Sequence, residues 1–104
     1  MPLKKDYKFS DRLISLSQIA FALSHPARIE IIEFLLENGK SSYSDLIDLI
    51  PLSTSSISQH LRALEKVCLI QNVDLDNASI GYKLHDKGFS EAWEEIGKLI
   101  KIAA

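Results

Sequence analysis

Along most of this chain apolar residues recur three and four positions apart, the repeat of a helix with one buried face, and the repeat breaks after Val67. Ile57, Leu61 and Leu64 are spaced four and three apart, with Cys68 four further on, which puts them on one helical face. Ser53 is placed to cap that helix, and Leu52 and Ile57 fall at the N′ and N4 positions that staple its entry. Pro26–Asn38 reads as an earlier helix with Ile29, Ile32, Leu35 and Leu36 as its buried stripe. Ser24 or His25 can cap it, Pro26 suits its first turn, and Gly39 supplies a left-handed stop. Ser44–Ile50 is a short helix with Leu46, Ile47 and Ile50 inward; Pro51 ends it by pushing the preceding residue out of the helical region.

Beyond Val67 the pattern becomes extended. Leu69–Leu75 and Ile80–Leu84 hold β-formers in partial alternation around the turn-rich Asp76-Asn77-Ala78-Ser79, which predicts a β-hairpin. Both ends of the chain read as helices. Ser10–Leu23 carries Leu13, Ile14, Leu16, Ile19, Ala20, Phe21 and Leu23, apolar around more of its circumference than one small core can cover. Phe89, Trp93, Ile96 and Ile100 run at intervals of four, three and four, with Ala92 and Leu99 beside them. The bland alternative is that these helices simply pack on their own domain. So much apolar surface on two terminal helices instead predicts a dimer interface carried by Leu13, Leu16, Ile19, Ala20, Trp93, Ile96 and Ile100.

The order helix, turn, helix, hairpin is that of a winged helix-turn-helix, a mainly α fold with a small β-hairpin (α+β). One domain is expected over residues 1–104, with the helix-turn-helix at 44–67, the wing at 69–84 and dimerisation helices at 9–23 and 86–102. The outward positions of the second helix are Thr54, Ser55, Ser58, Gln59 and Arg62. Short hydroxyls let a helix approach DNA closely and can donate to phosphates. Gln pairs with adenine N6 and N7, and Arg with guanine O6 and N7. These five residues are the candidate DNA contacts.

Two segments resemble the ArsR/SmtB family of winged-helix transcriptional repressors. Ala22-Leu23-Ser24-His25-Pro26-Ala27-Arg28-Ile29 is similar to the family's L-x-x-P-x-R-x-x-I helix start, and Leu52–Leu64, reading LSTSSISQHLRAL, to its recognition helix. The resemblance covers Ser10–Leu84 and implies a homodimer built from the first and last helices. It also implies a palindromic double-stranded DNA operator, with Thr54, Ser55, Ser58 and Gln59 at the DNA and wing residues on the flanking backbone. The family further implies a ligand switch, often a metal or thiol site, and here the chain departs. Lys40–Leu46 has no cysteine where one family site has C-x-C, and no histidine follows His85 where another needs one. Neither metal site is expected, no cofactor is assigned, and the effector is unidentified. Cys68 stands where many relatives have glycine and is expected to be a small buried residue.

Composition narrows the alternatives. His25, His60 and His85 are scattered among different elements, which gives no convergent metal ligands. No apolar run approaches the roughly 18 residues of a membrane span. The segment MPLKKDYKFSD lacks the apolar centre of a secretory signal, and with a single cysteine this predicts a cytoplasmic protein. No nucleophile, base and orienting group stand at a sensible spacing, and no phosphate-cradling glycine loop is present, so no catalytic residue is assigned and no enzyme is expected. The net charge of −2 runs against DNA binding. Its distribution is more favourable: Lys4, Lys5, Lys8 and Arg12 make the N-terminus positive, as Arg62 and Lys66 do the second helix. The wing is acidic, with Asp74 and Asp76 against Lys83 as its one cation. Hence a second reading: a winged helix turned to protein–protein interaction, with weak or no specific DNA binding.

Overall fold

Every helix starts where a nearby side chain accepts a backbone N–H that would otherwise be unpaired. The computed structural model describes residues 8–76 and 79–103 and orders them as α1 (Asp11–Ala22), α2 (Pro26–Asn38), β1 (Lys40–Ser42), α3 (Tyr43–Leu49), α4 (Thr54–Lys66), β2 (Ile70–Asp74), β3 (Ile80–Leu84) and α5 (Asp86–Ala103). The expected roles of Lys4, Lys5, Asn77 and Ala78 fall outside the described residues. Leu13 N–H donates to Ser10 Oγ, Asp45 N–H to Ser42 Oγ and Ser56 N–H to Ser53 Oγ. Two caps are imidazoles: Ala27 N–H donates to His25 Nδ1 and Gly88 N–H to His85 Nδ1, each at 3.0 Å. Of the two residues able to cap α2, the chain therefore uses His25. Gly39 closes α2 with a positive φ of 83°, its N–H donating to Leu35 O.

The core lies where α2, α3, α4 and the sheet meet. Ile31, Leu35, Leu46, Ile57, Leu61, Leu64, Leu69 and Ile70 are fully buried there. Ile57, Leu61 and Leu64 are the inward row read from the four-and-three spacing. Cys68 does not continue that row. Helix α4 stops at Lys66, and Cys68 sits beyond it, exposed, with φ of 59°. The expectation of a small buried residue there is wrong. The positive φ supplies the physical reason that a glycine suits the position.

The buried stripe of α2 is also rotated from the expected one. Ala27, Ile31, Ile32 and Leu35 face the core, whereas Ile29 is 41% and Leu36 54% exposed. Both sets have helical spacing, and the packing of α4 and the sheet against α2 decides between them.

The wing is part of a three-stranded antiparallel sheet in the order β1-β3-β2, not a two-stranded hairpin alone. Within the hairpin Ile70 pairs with Leu84, Asn72 with Tyr82 and Asp74 with Ile80. On the other side of β3, Lys40 pairs with Lys83 and Ser41 with Tyr82. The sequence Lys-Ser-Ser has no β-former, so β1 exists because the turn at Gly39 delivers it to the open edge of β3. Helix α1 packs on α5 through buried Leu16 and an ion pair from Arg12 Nε to Glu95 Oε1 at 2.8 Å. Hydrogen bonds from Lys98 and Arg12 hold the Glu95 carboxyl below its ordinary value.

Candidate nucleic-acid interface

Helix α4 has one fully buried face, and the opposite face is left to solvent. Thr54, Ser55, Gln59 and Arg62 are exposed on it. Ser53 Oγ, which caps the helix, also lies 3.0 Å from Ser56 Oγ and 3.3 Å from Ser55 Oγ, a cluster of hydroxyls at the first turn. Ser58 differs from the other candidates. It is half-buried, and its hydroxyl is 2.8 Å from the hydroxyl of Tyr43, at the start of α3. The first helix of the motif thereby holds a side chain on the outward face of the second.

Two aromatic residues of this region carried no role in the sequence reading. Tyr43 and Tyr82, with Ser58 and Ile80, line an open recess of about 370 Å³ between α4 and the wing. Burial raises the Tyr82 pKa above its ordinary value, opposed by a hydrogen bond from Asn72, and Glu65 and Arg62 act on it with opposite signs. The Tyr82 phenol therefore stays protonated at neutral pH. Ile80, Tyr82 and Leu84 alternate onto one face of β3, where Tyr82 and Leu84 pack against the core and Ile80, at the strand's outer end, is 60% exposed.

The base of α4 is tied to the start of α2. Arg28 Nε–H donates to His60 Nδ1 at 3.0 Å, and the His25 and His60 rings lie 4.3 Å apart. Burial first, then the charges of His25 and Arg28, lower the His60 pKa from its ordinary value. The neutral imidazole is the form that can accept from Arg28. The three histidines thus cap helices or join them, and among the described residues no three His, Cys, Asp or Glu side chains converge as a metal site.

Asp74 and Asp76 are exposed on the wing, as expected from the sequence. Lys83 is paired with Asp86 at 3.3 Å, and register places Lys40 of β1 opposite it, a second cation on the sheet that the hairpin reading missed. Among the terminal-helix residues, Leu13, Ala20, Trp93 and Ile100 are exposed, Ile19 and Ile96 half-buried, and Leu16 buried within the protomer.

Residues 25–71, from the cap of α2 to the start of β2, match the family described as "Bacterial regulatory protein, arsR family". Over these residues the chain is similar to the ArsR-family helix-turn-helix. No match was found among curated protein sequences. Solved structures share the fold. An ArsR-like transcriptional regulator from Rhodococcus sp. RHA1 superposes with a TM-score of 0.71 at 24% identity, over 86% of this chain and 83% of that one. HlyU from Vibrio cholerae N16961 gives 0.68 at 23% identity, over 88% and 97%. The transcriptional repressor BigR from Xylella fastidiosa gives 0.66 at 24%, over 78% and 79%. The match to the ArsR-family helix-turn-helix supports a DNA-binding transcriptional regulator. Among the described residues no helix is long and apolar enough to cross a membrane.

Proposed function

We propose that the protein is a cytoplasmic, dimeric, sequence-specific repressor that binds a palindromic operator without the cysteine metal site found in many ArsR-family proteins. The observation that carries this reading is the exposed set Thr54, Ser55, Gln59 and Arg62 on a helix whose opposite face is fully buried. Gln59 and Arg62 suit base edges in the major groove, Ser55 a base or phosphate, and Thr54 the backbone beside the helix N-terminus. Ser58 belongs to the same surface.

The dimer is supported by the apolar area that one protomer leaves uncovered. On α1 these are Leu13 and Ala20, flanked by Ile19 and underlain by Leu16; on α5 they are Trp93, Ile96 and Ile100. Exposed Ile29 and Leu36 of α2 continue this area and, with Leu23, Phe89, Trp93 and Ile96, line an apolar groove of about 240 Å³. Two copies related by a two-fold axis place two α4 helices on half-sites about one helical turn apart. An effector would act by moving the protomers away from that spacing.

The test is binding to fragmented genomic DNA of the source at two salt concentrations, alongside Gln59→Ala. Palindromic sites enriched by the wild type and lost by the variant are the expected result. Binding that is unselective and indifferent to the substitution would remove operator reading. It would favour the second reading, a protein-binding winged helix, for which the exposed acids Asp74 and Asp76 on the wing speak.

A further inference from the structure

We infer that Tyr43 and Tyr82 form a seat for one phosphodiester group of the DNA backbone, between the recognition helix and the wing, and that Ser58 works as part of this seat and not as a reader of bases. The inference rests on the DNA-binding reading of α4 and assigns part of its surface a different task.

Proton counting supports it. The hydroxyls of Tyr43 and Ser58 are 2.8 Å apart, and whichever donates to the other, one of their two protons is left to donate elsewhere. Tyr82 lines the same recess, and its phenol, kept protonated by burial, brings a further hydroxyl to it. The four residues Tyr43, Ser58, Ile80 and Tyr82 enclose an open recess of about 370 Å³. Two donors at one recess match the two non-bridging oxygens of a phosphodiester. A base edge in the major groove presents mixed donors and acceptors and asks for a side chain that can do both, as Gln59 can.

The electrostatics fit a neutral seat. The four residues that line the recess, Tyr43, Ser58, Ile80 and Tyr82, carry no formal charge, and Glu65 and Arg62 nearby act on Tyr82 with opposite signs. Phosphate contacts made by cations release counterions and steepen the salt dependence of binding, whereas hydroxyl donors do not. Both rings are half-buried, so replacing tyrosine by phenylalanine removes the donor and keeps the packing.

The experiment measures the affinity of wild type, Tyr43→Phe, Tyr82→Phe and the double variant for operator and unrelated duplex DNA over a range of salt. Each single variant should bind about three- to tenfold more weakly, by the same factor on both duplexes, with an unchanged slope of log affinity against log salt. Duplexes carrying a neutral methylphosphonate at single positions give a second readout. One position per half-site should weaken the wild type and have no further effect on the double variant. Thermal melts of all four proteins accompany the titrations, and the methylphosphonate comparison stays decisive where a melt is lowered. Wild-type affinity in the double variant, or a loss confined to the operator, would overturn the phosphate seat and leave the regulator reading standing. A wild type that binds no duplex at all overturns the regulator reading itself, and the seat with it.

Discussion

Helix α5 contains two glycines, and the same substitution at each should have opposite effects. Glycine in a helix interior costs about 1 kcal/mol relative to alanine, so propensity alone predicts that both Gly88→Ala and Gly97→Ala stabilise. At Gly97 nothing lies within 4 Å of an added Cβ, and the gain of about 1 kcal/mol should appear in full. At Gly88 an added Cβ would overlap the carbonyl oxygen of Cys68 and stand 2.8 Å from its Cβ. That obstacle is backbone, fixed by the left-handed turn with φ of 59° that carries the chain from α4 to β2. Relief requires α5 to move away from the turn, which loosens Ala92, 4% exposed, and the packing of Phe89 on the core. Overpacking of this kind costs about 1–3 kcal/mol, and an immobile obstacle puts it at the upper end. Subtracting the helix gain leaves a net loss of roughly 2 kcal/mol, or a fall in Tm of roughly 10 °C for a domain of this size. Urea denaturation at one fixed protein concentration, with thermal melts beside it, measures both variants. Fixed concentration matters because association adds to apparent stability. A Gly88→Ala protein as stable as the wild type, or more so, would refute the claim that α5 is seated directly on the Cys68 turn.

Two further predictions concern other contacts. The lowered His60 pKa means that the unfolded chain takes up this proton before the folded one does. Its contribution to stability is therefore present above the ordinary histidine value of about 6.5 and is lost as pH falls through the lower folded value. His60→Asn keeps an acceptor for Arg28 without a titrating group, and unfolding measured between about pH 5 and 7.5 should show a shallower acid limb; an unchanged limb would remove His60 as its source. Trp93→Glu places a charge on the exposed apolar face of α5, where the side chain is 65% exposed in a single protomer. Sedimentation equilibrium should show a shift from dimer to monomer with the fold retained, whereas an unshifted dimer would place the interface elsewhere.

What was legible in the sequence is what neighbours along the chain decide. The bounds of α2 follow from Pro26 at its first turn and Gly39 after its end, and the start of α4 from the Ser53 cap. Proline, glycine and caps act within four residues, so their signals survive without knowledge of the fold. The inward row Ile57, Leu61 and Leu64 fixes the outward set in the same way, because one face of a helix determines the other. The break in period after Val67 likewise announced the wing.

Only the tertiary structure decided which of several possible faces is buried and which distant side chains meet. Ile29 and Leu36 have helical spacing as good as that of Ile31 and Leu35, and the direction from which α4 and the sheet approach α2 settles the choice. Strand β1 has no propensity of its own and is created by an edge about forty residues away in sequence. Tyr43 reaches Ser58 across 15 residues and Arg28 reaches His60 across 32. Cys68 and Gly88 touch because one positive φ aims a carbonyl at the start of α5. Such pairings depend on the relative placement of rigid elements, and single-residue propensities and periodicities do not carry that placement. For this protein the local code specifies an amphipathic helix α4 and its outward chemistry. The packing of α3 and the wing against that helix specifies which hydroxyls surround it.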